Sequence, residues 1–533
     1  MTTSSVFRLA APAVMGALWV AGCGGGKSDP APSDSLGART NAAPALALAA
    51  AVAPSATDDP AVVAAYRNSF YDDADILHSF QTTVGETIDC IDFYAQRSVK
   101  GLVAQGQRPD ITKLPKPPPL PGGVPEANVP SHFAFDGSPD LNGNARQCPP
   151  GAVAVTRPSV TDITAAGGLE KFKATRRRRP VPSGSQSTFE NDCWLNNAPG
   201  NGMGFPTYNY DHAVGIVRNI NYYGLLTIMP VYAGFIEVAG EHDVSQFWVQ
   251  TGKCENWYRT SGQGNQCATG NGVNNQAVQS VEGGWVVDNN QQIAKLFMFM
   301  TGDGYYQDNC YAGSDGVGDT VCCPGGVSNP SPGQQGTSCW VAAPNAAFTV
   351  NESLPTSTAE KPPWELGIQV WNGSTANPPA PGWWVWVNGN NLIGWYPPST
   401  FNWPDGSAGP MANGPATYLQ AGGEVYNTWP NNQHTDTAMG SGFAPDSSSH
   451  GYMVSSYQRD VMYIDSAGNY HNAPLGYYFA PSYEGDNQIA GLCGFDAASF
   501  TQGSFTGGYT LSTSLPAGGS GWGSYFYFGG PIL

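Results

Sequence analysis

Two of the 41 acidic residues in this 533-residue chain sit in settings suited to chemistry. Glu282 lies in Gln279-Ser280-Val281-Glu282-Gly283-Gly284-Trp285-Val286-Val287, and Glu424 in Gln420-Ala421-Gly422-Gly423-Glu424-Val425-Tyr426. Each segment reads as an apolar strand with one charge and a Gly-Gly pair beside it. Glycine inside a strand often marks the close approach of another backbone, and a peptide substrate is such a backbone. Two carboxyls brought together in a partly desolvated cleft resist ionising together, so the pair tends to share a proton. The ionised member can take a proton from attacking water. The protonated member can hydrogen-bond the developing oxyanion and then protonate the leaving nitrogen. On the residues alone, two ordinary strand-edge glutamates remain the alternative. Gln420 and Tyr426 are candidate helpers, with a structural role as their alternative.

Other chemistries find little support. The chain has no GxSxG elbow, no HExxH, no P-loop and no dinucleotide fingerprint. Its seven histidines are scattered, and Glu241-His242 lacks a second histidine at metal-ligand spacing. No cofactor and no metal are therefore expected. A net charge of −18 argues against nucleic acid as a partner, because its phosphates would be repelled.

The elements that must carry these residues read as β-structure. Charged residues make up only 12 % of the chain and aromatics another 12 %, with 67 Gly and 44 Pro. Few helix-favouring charges, many aromatics and many breakers imply short strands joined by turns. Strand candidates are residues 224–229, 247–250, 295–300 and 367–371, and the C-terminal Trp522 to Phe528. Trp383 to Val387 and Leu392 to Tyr396 flank Asn388-Gly389-Asn390-Asn391, a hairpin signal. The expected fold is all-β, an antiparallel two-sheet β-sandwich, preceded by a small mixed helical and extended region.

Four parts are expected along the chain. Residues 1–22 resemble a lipoprotein signal peptide, with Arg8 before a short apolar run that ends in Val20-Ala21-Gly22-Cys23. That ending resembles the bacterial lipobox, which makes Cys23 the lipidation site; an ordinary signal peptide is the alternative. The chain is thus expected in the cell envelope, with the outer membrane favoured by Gly24, and held there only by the lipid. Residues 23–58 are a low-complexity tether. Residues 59–186 form the upstream region, with a helical pattern from Asp59 to about Gly106 and an extended, proline-rich Leu114 to Pro125. Residues 187–533 form the β body. Removing Cys23 from the 11 cysteines leaves ten, two upstream (Cys90, Cys148) and eight in the body. Both counts are even, so each part can close its disulfides alone.

Several segments carry a specific resemblance. QFWVQTG (246–252), SVEGGWVV (280–287), LFMFMTGDGYYQDNCY (296–311), GWWVWVNGNNLIGWYPPSTF (382–401), AGGEVYN (421–427) and WGSYFYFGGP (522–531) resemble, in order, the neprosin family of glutamic peptidases. Upstream, GETIDCIDFYAQRSV (85–99) and CPPGAVAVTRPSVTDI (148–163) resemble the family's activation region. The resemblance implies an antiparallel sandwich, catalytic glutamates at Glu282 and Glu424, and endopeptidase cleavage after proline in peptide or protein substrates. It also implies a zymogen in which residues 59–186 cover the cleft until cut. The expected linker is Arg176 to Ser187, cut either by a trypsin-like enzyme in the run Arg176-Arg177-Arg178-Arg179 or by self-cleavage after Pro180 or Pro182, and cleavage there frees the body from its lipid. The loop from Cys310 to Cys323 and an apparent insertion between Cys254 and Cys267 depart from the family pattern. The rival reading is a non-catalytic surface sandwich that binds carbohydrate or protein, with exposed Trp383 or Trp386 stacking on sugar rings.

Overall fold

Apolar residues alternating at period two give a strand one dry face, and a second such sheet is the natural cover for it. The computed structural model describes chiefly residues 71–165, 210–251, 279–302, 340–445, 452–480 and 509–530, with short gaps, and statements of structure below concern the described residues. Cys23, the tether, the Arg176 to Arg179 run and the side chains of the eight body cysteines lie outside them.

Upstream, β1 (Ile76–Gln81), β2 (Thr87–Asp92) and β3 (Ala152–Thr156) form an antiparallel sheet in that order, with helices α1 (Arg97–Ala104) and α2 (Val160–Ala165) beside it. The helical expectation for this region therefore holds for residues 97–104 and fails for 76–92. There ILHSFQ and TIDCID pair with each other, burying Phe80, Ile88 and Cys90 in a small core of their own. Short segments of this kind fit either period, and pairing decides. Cys90 and Cys148 form a disulfide, so the upstream part closes its bridge alone as its even count implied.

The body is a sandwich of antiparallel sheets. One is seven-stranded: β4 (Tyr210–Tyr222), β6 (His242–Thr251), β9 (Gln279–Asp288), β10 (Ala294–Thr301), β11 (Asn309–Tyr311), β16 (Ala416–Tyr426) and β19 (Gly476–Ala480), in the spatial order β11-β10-β9-β6-β16-β4-β19. The other is ten-stranded: β5 (Gly224–Pro230), β12 (Val341–Ala342), β13 (Glu365–Asn372), β14 (Trp383–Val387), β15 (Asn391–Tyr396), β17 (Ser456–Ile464), β18 (Tyr470–Asn472), β20 (Gln502–Ser504), β21 (Thr510–Ser512) and β22 (Phe526–Gly529). A separate hairpin pairs β7 (Ala268–Thr269) with β8 (Gly272–Val273). The expected strands at 224, 247, 295, 367, 383 and 392 are all present, while the expected strand at 522 begins only at Phe526. Trp522 instead packs its ring against Tyr457, 4.7 Å between centroids.

The sandwich core takes one face from each sheet. Phe247, Val249, Val281, Trp285, Leu296, Met298 and Ala421 meet Leu225, Met229, Ile368, Val385 and Ile393 across it. The upstream region occupies the outer face of the ten-stranded sheet. There Ile91, Phe93, Val99, Leu102 and Val153 share a core with Trp371, Trp384, Trp386 and Trp395. Hydrogen bonds also tie the upstream region to the segment that pairs with β10 at the edge of the seven-stranded sheet: Ser353, bridged to Lys295, donates its N–H and Oγ to the Glu86 carboxylate at 2.8 and 2.6 Å, and nearby Asn345 N–H donates to the Ala152 carbonyl. Among the described residues no helix is long and apolar enough to cross a membrane.

Several carboxyls are buried. Burial pushes Asp243 and Glu352 well above their ordinary values of 3.8 and 4.5, because it disfavours the charged form. Burial acts the same way on Asp89, but hydrogen bonds from Arg157, Ser79 and Tyr71 outweigh it and hold that carboxylate below its ordinary range.

Two predictions follow from these packed positions. A Cβ on Gly422 would lie 2.2 Å from the carbonyl oxygen of Ala213, at a φ of +155°. Gly422→Ala is expected to lower the unfolding free energy by about 1–3 kcal/mol, read from the denaturant midpoint; an unchanged midpoint contradicts the register of β16 on β4. A group with a raised folded pKa stabilises the fold below its unfolded pKa and loses that contribution as pH rises through the folded value. Asp243 and Glu352 therefore favour acid, and Asp89 opposes only where pH falls below about its unfolded value. The thermal midpoint is expected to rise from neutral pH into mild acid and drop again in strong acid. In Asp243→Asn the rise should shrink, and a rise of undiminished size removes Asp243 as its source.

Candidate active site

Side chains on the seven-stranded sheet alternate between the sandwich core and the opposite, outer face. On β9, Val281, Gly283 and Trp285 face the core, which puts Ser280, Glu282 and Gly284 on the outer face. On β16, Ala421 and Val425 face the core with Gly423, whose Cβ would strike the Phe528 ring at 2.6 Å, so Gln420, Gly422 and Glu424 face outward. Both expected glutamates thus share one face, across the intervening strand β6.

Register fixes their relation. Glu282 pairs with Trp248 of β6, and Trp248 with Gln420 of β16. Four residues back along β6, Val244 pairs with Glu424. Midway between, Gln246 pairs with Gly284 on one side and Gly422 on the other. The glutamates are therefore diagonal corners of a patch whose middle row is Gly-Gln-Gly. With strands about 4.8 Å apart and a rise of about 3.3 Å per residue, their Cα atoms lie roughly 16 Å apart. Two glutamate side chains cannot span that gap to one mutual hydrogen bond. The expected sharing of a proton between the carboxyls gives way to two groups with separate partners and space between them.

The glycines have a reason other than the one expected from sequence. A Cβ on Gly284 would lie 1.9 Å from the carbonyl oxygen of Ser245, and one on Gly422 would meet Ala213. The neighbouring strands themselves demand glycine. One consequence is that no side chain rises from the floor on either side of Gln246.

Each carboxyl has a distinct setting. Glu424 Oε2 lies 2.8 Å from Nε2 of His212, the residue opposite it on β4. His242 Nε2 is 3.8 Å from the other oxygen, and its ring stacks on Tyr426 at 5.3 Å. Glu282 Oε1 instead meets the hydroxyl of Ser280 at 2.6 Å. Glu282 and Glu424 are only 3 % and 4 % exposed, although they face away from the sandwich core. Beside Glu282 on the same face, Val244, Phe297 and Phe299 form an apolar cluster with Val286.

Sequence reasoning missed His212 and His242 because they approach Glu424 only through strand pairing, His212 from 212 positions away. The Glu241-His242 pair, noted only as an incomplete metal motif, divides its roles. Glu241 accepts from Thr428, Thr435 and Thr437, pinning the chain after β16, while His242 serves the Glu424 side. Of the two suggested helpers, Gln420 lies in the Glu282 row and donates to Gln250 at 3.0 Å, and Tyr426 reaches the site through its contact with His242. Among the described residues no cluster of His, Cys, Asp or Glu is placed to hold a metal ion.

Two expectations are corrected here. Trp383 and Trp386 are buried, in the sandwich core and in the upstream core respectively, so neither offers a face for sugar stacking. The described part of the upstream region lies on the ten-stranded sheet, the far side of the sandwich from the glutamates, and does not itself cover them. Residues 170–209, which include the expected linker, lie outside the described residues.

A comparison with family models gives a match to Neprosin over residues 335–531, a span that takes in Glu424 and stops short of Glu282. Over residues 335–531 the chain is thus similar to the Neprosin family, which is associated with peptidase activity.

Proposed function

We propose that this chain is a glutamic endopeptidase in which Glu424 starts as the base and Glu282 as the acid. The observation that carries the reading is the unequal partnering of two outward-facing carboxyls on one sheet. A carboxylate only accepts and an imidazole ring N–H can donate to it, so the 2.8 Å contact between His212 Nε2 and Glu424 Oε2 suits a Glu424 that starts as the base. The Ser280 hydroxyl can accept as well as donate, so it serves a protonated Glu282 equally well.

The steps balance on these groups. Glu424 takes a proton from water as its oxygen attacks the scissile carbonyl carbon. Glu282 donates a hydrogen bond to the resulting oxyanion, then gives its proton to the leaving nitrogen as the C–N bond breaks. The Gly-Gln-Gly row leaves room for water and an extended backbone between the two. The apolar cluster of Val244, Phe297 and Phe299 beside Glu282 supports a proline ring ahead of the scissile bond.

The reading extends to a zymogen exported as a lipoprotein anchored at Cys23. Burial of both glutamates on a face that is not the core supports a latent form. A cut between Arg176 and Ser187 leaves the Cys90–Cys148 disulfide intact within the upstream part.

Glu282→Gln and Glu424→Gln are each expected to lower kcat/KM on a proline-containing peptide by roughly 10²–10⁴-fold. A variant that keeps wild-type cleavage removes its glutamate from the mechanism. Wild-type activity should trace a bell with its optimum in acid, lost below as Glu424 protonates and above as Glu282 ionises; a flat profile from acid to neutral contradicts the assignment. N-terminal sequencing of the acid-treated protein should yield a new start between residues 176 and 187, whereas a fully active form that still begins at Cys23 would sink the zymogen.

A further inference from the structure

The row of the outer face that holds Glu282 contains two polar atoms with nothing to bond. It runs Phe299, Glu282, Trp248 and Gln420 on four neighbouring strands. Trp248 and Gln420 are both fully buried, yet Nε1 of Trp248 and Oε1 of Gln420 have no hydrogen-bond partner. The amide nitrogen of Gln420 is already committed to Gln250 Oε1 at 3.0 Å, which leaves its oxygen as the open end. The Trp248 ring is 6.0 Å from that of His212, so it lies within the glutamate patch.

Unpaired buried groups are costly, and folds rarely keep them without a use. This chain elsewhere gives buried indoles a backbone carbonyl: Trp285 donates to Pro230 and Trp383 to Met411, both at 2.8 Å. Trp340 and Trp371 also leave the indole nitrogen unpaired. Trp248 differs from them in having an unpaired acceptor on one neighbouring strand and Glu282 on the other. An indole N–H only donates and a carboxamide oxygen only accepts. A peptide backbone supplies the complement of both, a C=O and an N–H.

We propose that Trp248 and Gln420 are the substrate-backbone receptor of this site. The indole N–H donates to a substrate carbonyl oxygen, and Gln420 Oε1 accepts a substrate N–H. Pairing at this row sets the backbone beside Glu282 and orients the scissile bond toward the middle row. Because both atoms are buried in the intact chain, the receptor opens only once that face is uncovered. The proposal rests on the peptidase reading above and adds two binding residues to it.

The test uses the acid-treated full chain and a proline-containing peptide, followed by cleavage kinetics and by calorimetric binding. Trp248→Phe keeps an aromatic ring and loses the donor; Gln420→Met keeps length and loses the acceptor. Each is expected to lower kcat/KM and affinity about tenfold, the worth of one hydrogen bond in a desolvated site. Gln420→Met also removes the donor to Gln250 and should lower the thermal midpoint, so binding is compared on folded protein, where a merely structural Gln420 would leave the wild-type preference for an amide over an ester peptide unchanged. If lost ring volume unfolds Trp248→Phe, a peptide with an ester in place of one amide N–H supplies the second arm. It should bind wild type about tenfold more weakly and Gln420→Met no more weakly than the parent amide. Folded variants within twofold of wild type overturn the receptor while leaving the peptidase reading intact. Cleavage indifferent to Glu282→Gln and Glu424→Gln overturns that reading instead, and the absence of both cleavage and binding overturns both.

Discussion

The outer face of the seven-stranded sheet depends on one constraint, the period-two alternation of β6, β9 and β16. Every second residue of these strands is committed to the sandwich core, where Phe247, Trp285 and Ala421 are fully buried. A slip of one residue in any of the three would exchange the faces and carry its functional residue inward. The Gly-Gly pairs tighten that constraint in both directions. Gly283 and Gly423 admit Met298 and the Phe528 ring from the core side, while Gly284 and Gly422 admit neighbouring carbonyl oxygens on the outer side. Fixing the core therefore fixes where Glu282 and Glu424 stand, without any contact between them.

Separation is what makes the two carboxyls chemically different. A close pair divides one proton by mutual repulsion, and its members are distinguished only weakly. Here each glutamate is set by its own neighbour, an imidazole on β4 for Glu424 and a hydroxyl two residues away on β9 for Glu282. The proposed roles of base and acid rest on that inequality of neighbours. The row between them holds Gln246 flanked by Gly284 and Gly422.

How far the sequence was legible follows from the range of the interactions. Apolar alternation and the Asn-Gly hairpin are local, and the strands at 224, 247, 295, 367, 383 and 392 were readable from them. The glutamates were readable because each carries its glycines within two positions. His212 was not, since nothing near it announces Glu424, and only the pairing of β4 with β16 joins them. The upstream strands at 76 and 87 were misread as helix because their order depends on each other and on β3, which follows 60 residues later. Trp383 and Trp386 failed as surface residues for a related reason: a strand with a second layer on each side has no wet face to give them.

That second layer bears on latency. The upstream region completes a core around Trp371, Trp384, Trp386 and Trp395, and its residues 126–128 meet the buried Arg459–Glu365 ion pair through hydrogen bonds to Arg459 and Glu365. Stripping it away would expose four tryptophans and wet a charge pair whose side chains are otherwise enclosed. Cutting the chain between Arg176 and Ser187 is a different event, since it breaks one covalent link and leaves those contacts in place. On this geometry the upstream layer supports the ten-stranded sheet. The glutamates stand on the outer face of the opposite sheet, which that layer does not buttress.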